Sequence, residues 1–255
     1  MKGKLQCGWP KEHKDRQVQV FVRQKGRKLA IYEPYQSSQI MSGNSEYRKA
    51  RVYTPGTLPE EHFWDPEKPS SLLAIACKVR SQLDGTSNDL CHLFSYDVRT
   101  GEAYDYVTPI STLGGRLESI RPAEIVLHPA IFADKIHPIH AILDREDAVL
   151  SAPVEGNIPD GPSNIPDGPG NNSSHLLMQH YLKETLYNLS RPPLRTRTLQ
   201  SLARPSQMRL EGSALSALEI RNRSINGSRA GSLLAAVKRT DTKDGARLLA
   251  ERLCK

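Results

Sequence analysis

Leu93-Phe-Ser-Tyr-Asp-Val-Arg-Thr-Gly-Glu-Ala-Tyr-Asp-Tyr-Val107 is the stretch whose reading decides the fold. Residues 93–98 are short, apolar and aromatic, as a strand is, and residues 103–107 repeat that character. Arg99-Thr-Gly-Glu102 turns the one into the other. Asp97 reads as a turn residue ahead of Thr100-Gly101, where a short carboxylate bonds to nearby backbone N–H groups. Upstream, Leu72-Leu-Ala-Ile-Ala-Cys77 is an apolar run of strand length. Downstream, Ser111 stands where it could cap a helix with Leu113, Leu117 and Ile120 on one face, and Pro122 closes it. Ala123-Glu-Ile-Val-Leu127 follows as a fourth strand. A hairpin followed by helix and strand predicts an α/β layer domain over residues 58–150.

On either side the pattern changes. Val18, Val20, Phe21 and Val22 form a short apolar element stopped by Gly26, after a start that reads as frayed. Leu29-Ala-Ile-Tyr32 reads as a strand, residues 35–47 as a loop, and Arg51-Val-Tyr-Thr54 as an extended run turned by Pro55-Gly56. Residues 151–174 hold Asn157-Ile-Pro-Asp-Gly-Pro162 and its repeat Asn164-Ile-Pro-Asp-Gly-Pro169. So much Pro, Gly and Asn buries too little apolar surface to fold, and the stretch reads as an insertion. Leu176, Leu177, Tyr181, Leu182 and Leu186 then mark a helix. Farther on, Leu233, Leu234 and Val237 share one helical face, and Ala246, Leu249 and Leu253 share another. Thr240-Asp-Thr242 offers caps between these two helices. Gly245, in the first turn of the second, is either a place of close packing or a tolerated glycine near a helix end.

Charge is unevenly placed. Residues 1–58 carry 12 Lys+Arg against 4 Asp+Glu, residues 59–174 carry 8 against 18, and residues 175–255 carry 15 against 6. An acidic middle repels phosphate, so any nucleic-acid surface must come from the basic ends. Within residues 194–208, Arg195, Arg197 and Arg204 are candidate phosphate contacts, as are Lys238 and Arg239 near the end of a helix. For residues 194–208 a solvated linker is the reading placed ahead, since phosphate contact needs a positioned surface, and Lys238 and Arg239 also suit the negative end of a helix dipole. No apolar run approaches the ~20 residues of a membrane span. Cys7, Cys77, Cys91 and Cys254 are scattered without a CxxC pair, and predict neither a disulfide framework nor a zinc site. Asp97 with Glu118, Asp144 and Asp147 is the loosest of nuclease patterns, and His128, His137 and His140 read as surface histidines.

Several of these stretches together resemble a known family. Leu218-Glu-Ile, a Gly/Ser loop, Gly231-Ser-Leu-Leu, Lys238-Arg-Thr, and then Thr242-Lys-Asp-Gly-Ala-Arg-Leu-Leu249 resemble the start of the core domain of MutS-type DNA mismatch-repair proteins. Ala50-Arg-Val-Tyr-Thr-Pro-Gly-Thr57 resembles the passage from that family's mismatch-binding domain into its connector domain. The Asp97-x-x-x-Gly101 hairpin followed by a helix and Pro122-Ala-Glu-Ile125 resembles the connector, whose fold is ribonuclease-H-like. The resemblance implies four parts. Residues 1–57 would be the remnant of the mismatch-binding domain and 58–150 an α/β connector. Residues 151–174 would be a disordered insertion, and 175–255 the opening of an all-α core in which residues 218–220 are strand-like. Trp64-Asp-Pro-Glu-Lys-Pro-Ser-Ser-Leu-Leu-Ala-Ile75 is most similar to the mitochondrial members, which implies that organelle, with the nucleus as the alternative.

What the resemblance implies for function divides in two. Full-length members bind duplex DNA with mispairs as homodimers or heterodimers and hydrolyse ATP with magnesium. In this chain no Phe-x-Glu tripeptide, the family's base-stacking wedge, is present, nor any G-x-x-x-x-G-K-[ST] phosphate loop. No catalytic, cofactor-binding or metal-binding residue is therefore assigned to it. The expectation is an internal piece of a larger protein, or a truncated gene model, with a non-catalytic scaffold as one alternative and a metal-dependent nuclease as another.

Overall fold

The computed structural model describes residues 8–35, 46–58, 60, 63, 71–77, 90–153, 173–186, 195–198 and 212–253. Its centre is a six-stranded mixed sheet in the order β7-β6-β3-β4-β5-β8. The strands are β3 (Leu72–Cys77), β4 (Leu90–Tyr96), β5 (Glu102–Pro109), β6 (Glu124–Leu127), β7 (Val149–Ser151) and β8 (Arg195–Thr198). β4 runs antiparallel to both β3 and β5, while β6 lies parallel to β3, β7 parallel to β6, and β8 parallel to β5. An α/β layer domain is therefore what the middle of the chain forms.

All six residues of β3 are buried, because helices cover both faces of the sheet. Alternate residues serve opposite layers, as the two-residue period of a strand requires. Leu72, Ala74, Phe94, Tyr96, Ala103 and Val126 pack against Leu177, Met178, Tyr181 and Leu182 of helix α5 (Ser173–Thr185). Leu73, Ile75, Leu93, Ile125 and Leu127 pack on the other side against α2 (Leu113–Ile120), α3 (Pro129–Ala133) and α4 (Ile139–Leu143). The predicted helix over Leu113, Leu117 and Ile120 is thus found, although no side chain caps its start.

Two cysteines on adjacent strands correct an expectation. Cys77 and Cys91 stand opposite each other on β3 and β4, with Cα atoms 4.4 Å apart, and are joined by a disulfide. Sequence spacing of 14 hides the pairing, which only the strand register brings about.

The N-terminal part is a helix over a ribbon. Residues 11–13 open with a 3-10 turn, so the start is ordered sooner than its sequence suggests. Helix α1 (Lys14–Val18) runs on as a π-helical stretch, Gln19–Gln24. It packs Val18 and Val22 on Tyr53, Leu58 and Phe63, with Leu29 and Ile31 at the margin. The ribbon is the antiparallel pair β1 (Leu29–Tyr35) and β2 (Glu46–Tyr53).

The C-terminal part holds α6 (Gly212–Ala217), α7 (Leu233–Val237) and α8 (Lys243–Arg252). Ser232 caps α7 by accepting from the Ala235 N–H at 3.2 Å. Thr242 accepts from the Gly245 N–H at 3.1 Å at the start of α8, as its position between the helices predicts. Residues 218–220 are not strand-like: they form the turn that ends α6, with Glu219 in the left-handed region at φ 49°. At Gly245 an added Cβ would meet Thr242 Oγ1 at 3.0 Å and Thr240 Cβ at 3.5 Å. Side chains of the preceding turn, not a second backbone, line that place.

Of the stretch 151–174, Ser151 belongs to β7 and Ser173 and Ser174 to α5, so these three are in regular structure; the Asn-Ile-Pro-Asp-Gly-Pro repeat lies outside the described residues. Among the described residues no helix is long and apolar enough to cross a membrane.

Candidate functional site

Among the described residues a buried carboxylate gathers donors from three segments of the chain. Glu124, at the start of β6 in Pro122-Ala-Glu-Ile125, has none of its surface exposed. A lone buried carboxylate is costly unless donors surround it. Three arrive from three distant segments. The Gly56 N–H donates to Oε2 at 3.1 Å, and the Ser151 and Tyr181 hydroxyls both donate to Oε1. Burial first, then the neighbouring Glu124 charge and the hydrogen bond to it, push the Tyr181 phenol well above its ordinary range, so it stays a donor. Lys28 brings its Nζ to 5.0 Å from the centre of the Tyr181 ring.

The segment carrying Gly56 is shaped for this contact. Pro55-Gly56 sits inside a turn closed by Thr57 N–H donating to the Thr54 carbonyl at 3.1 Å. Thr57 Oγ1 also accepts from the Thr54 N–H at 3.2 Å and lies 2.8 Å from Thr54 Oγ1. Both threonines are buried. Gly56 is needed for its size, since a Cβ there would come within 2.8 Å of Leu72 Cγ and 3.2 Å of Glu124 Cβ. Residues 54–57, β6–β7 and α5 thus meet on one side chain. Nothing at the site is poised to react, and its chemistry is that of a fastening.

Asp97 behaves as the turn residue its sequence predicts. Its Oδ1 accepts from the Arg99 N–H at 2.9 Å and the Thr100 N–H at 3.4 Å, and its Oδ2 pairs with Arg247 at 2.5 Å. Glu118 accepts from the Ser216 hydroxyl at 2.6 Å, while Asp144 and Asp147 are exposed beyond α4. Burial, with Glu118 and Asp147 nearby, raises the Glu146 carboxyl above its usual range against the pull of Arg121. These acids do not converge, and among the described residues no group of three or more His, Cys, Asp or Glu could hold a metal ion.

The histidines differ from expectation. His137 and His140 are buried, not superficial. His137 Nδ1 accepts from the Ile139 N–H at 3.2 Å, and His140 Nε2 lies 2.9 Å from the Ile131 carbonyl. His128 Nδ1 caps α3 through the Ala130 N–H, and burial holds its imidazole below the ordinary range. All three build the α3–α4 corner, a role that proline-flanked histidines do not announce.

The candidate phosphate contacts fall on separate elements. Arg195 and Arg197 lie on β8, the outer strand beside β5, opposite Glu102 and Tyr104. This stretch reads as a linker from sequence, and the structure makes it part of the sheet. Lys238 and Arg239 are exposed just beyond α7. Arg204 lies outside the described residues. The sequence contains no G-x-x-x-x-G-K-[ST] phosphate loop, and among the described residues no acids converge as a magnesium nucleotide requires.

Comparison with known proteins adds the remaining finding. No protein-family model matches the chain. It is 31% identical to the DNA mismatch repair protein MutS of Rhizobium meliloti over 267 aligned positions, and 28% identical to that of Nitrobacter hamburgensis over 278. Each alignment covers 97% of this chain and 28% of the relative, so the chain spans little more than a quarter of the proteins it matches. Similarity of this extent supports the MutS family.

Proposed function

We propose that this chain is a segment of a MutS-type mismatch-repair protein whose task is to hold the mismatch-reading part, the connector and the core in fixed relation. On this reading residues 1–57 close the mismatch-binding domain, residues 58–150 are a ribonuclease-H-like connector whose sheet α5 and β8 complete, and the helices from residue 212 belong to the opening of the core. The observation that carries it is the junction at Glu124. The Thr54–Thr57 turn, in the stretch resembling the passage between the first two domains, seats its Gly56 N–H on the connector's Glu124. The order strand, Asp-x-x-x-Gly hairpin, helix and Pro-Ala-Glu-Ile supports the same assignment.

The partner is duplex DNA bearing mispairs, met by the whole protein as a homodimer or heterodimer. ATP and magnesium act in its other parts. Arg195, Arg197, Arg204, Lys238 and Arg239 supply phosphate contacts that steady the duplex without reading bases. The stretch Trp64–Ile75 favours a mitochondrial-type protein, with the nucleus as the other location; fractionation of cells expressing the tagged gene separates the two.

Equilibrium binding to matched and G·T-containing duplexes at two salt concentrations tests the DNA reading. Phosphate contact makes affinity fall steeply with salt, and without the wedge a mismatch adds less than about tenfold, or about 1.4 kcal/mol. A larger mismatch preference overturns the assignment of base reading to other parts. Absence of duplex binding at low salt favours the second reading, a non-catalytic scaffold.

A further inference from the structure

Helix α8 is held against the α/β domain by charge more than by apolar burial. Among its described side chains only Ala246 is buried, and Leu248 is exposed. Two ion pairs cross to the β4–β5 turn from about 150 residues away in sequence: Arg99 Nη2 to Asp244 Oδ1 at 2.6 Å and Arg247 Nη1 to Asp97 Oδ2 at 2.5 Å. The four charges alternate. Asp97 and Arg99 stand two residues apart on the turn, and Asp244 and Arg247 three apart on the helix, where they are neighbours across one turn.

We propose that this quartet is a salt-responsive latch, by which α8 reversibly docks on the β4–β5 turn while the sheet stays intact. Opening a buried ion pair ordinarily strands its charges, which resists opening. Here each half keeps one acid and one base, so both stay neutral as they part. Asp97 Oδ1 remains on the Arg99 and Thr100 N–H groups in either state, so the turn does not depend on the helix. A second attachment, Ser216 to Glu118, ties α6 to α2 and lets the C-terminal unit remain tethered when α8 lifts. Screening then sets the position of the equilibrium. The device goes beyond the proposed function, because it assigns a movable contact to a protein otherwise read as a rigid holder.

Hydrogen exchange on the full chain, followed by mass spectrometry at about 0.05 and 0.5 M sodium chloride, tests it, since the Debye length shrinks several-fold between them. Exchange in residues 243–252 should rise at least about fivefold with salt, while β3, β4 and β6 change less than about twofold. Arg247→Met should speed α8 exchange at low salt and remove most of the salt response. Asp244→Asn should do so in part; its side chain is 65% exposed, so this variant keeps the fold if Arg247→Met does not. Salt-independent exchange in α8 of the unaltered chain overturns the latch. So does an Asp244→Asn chain whose α8 exchange and salt response match the unaltered one.

Discussion

The sheet domain and the C-terminal helices solve the same problem by different means. The sheet, with α5 on one face and α2, α3 and α4 on the other, closes two continuous apolar clusters. Among the described residues from 212 onward the one apolar cluster is Leu215 with Ile220, Leu253 at its margin, and Leu234 and Ala246 are buried outside it. Leu218, Ile225, Leu233, Val237 and Leu248 stay exposed there. A helix of five or ten residues is marginal without tertiary packing, so α7 and α8 lean on caps and ion pairs where the sheet leans on area. Stability should therefore fall off sharply from one region to the other.

The largest effect expected is in the sheet's own layer. Leu117→Ala, which empties a fully buried position of α2, should cost ~2–5 kcal/mol in a urea melt. Leu215→Ala should cost much less and show itself as faster local exchange. Equal losses at the two positions would break the contrast. Gly56→Ala comes next, at ~1–3 kcal/mol, because its methyl would press on Leu72 and Glu124. An unchanged melt would mean that the 54–57 turn is not seated on the sheet. Tyr181→Phe leaves the ring and removes one donor from the buried Glu124, for ~1–3 kcal/mol. Full stability in that variant would show that Gly56 and Ser151 suffice.

The smallest effect is one of pH and belongs to the α5 side of the sheet. The His175 ring packs edge-on against Phe94 with centroids 4.7 Å apart, and burial lowers its pKa although Asp105 pulls the other way. A base whose folded pKa is depressed takes up a proton more readily when unfolded. Stability should therefore decline as pH falls below the ordinary histidine value of 6.5, and level off once pH passes below the depressed folded value. His175→Phe should flatten this part of the melt-versus-pH curve. An unaltered curve would assign the decline elsewhere, with His128 next to examine.

What could be read beforehand follows the same divide. β3 and the hairpin are legible because apolar runs and an Asp-x-x-x-Gly turn are local signals, and strand pairing merely joins them. β7 and β8 are not, since three and four residues of ordinary composition become strands only beside an existing edge. The 218–220 turn departs from the strand that the family resemblance implies, because the backbone of Leu-Glu-Ile is set by the end of α6. The fastening at Glu124 was out of reach for another reason. Its donors are 68, 27 and 57 residues away, and a glutamate at the head of a strand looks superficial until they close on it. Of the proposed phosphate contacts, sequence marks the charge, and only the fold separates β8 from the end of α7.

The outer strands of the sheet have a bearing on how the protein behaves in a crowded solution. An unpaired strand edge is a template on which another copy can build. Here one margin is β7, three residues long, and the other is β8, which reads Arg-Thr-Arg-Thr. Few open amides are offered at the first, and a second chain arriving alongside the other would bring like charge against like. The sheet's apolar interior is thereby shielded from edge-to-edge growth, and aggregation, where it occurs, should begin from the apolar side chains left uncovered among the C-terminal helices.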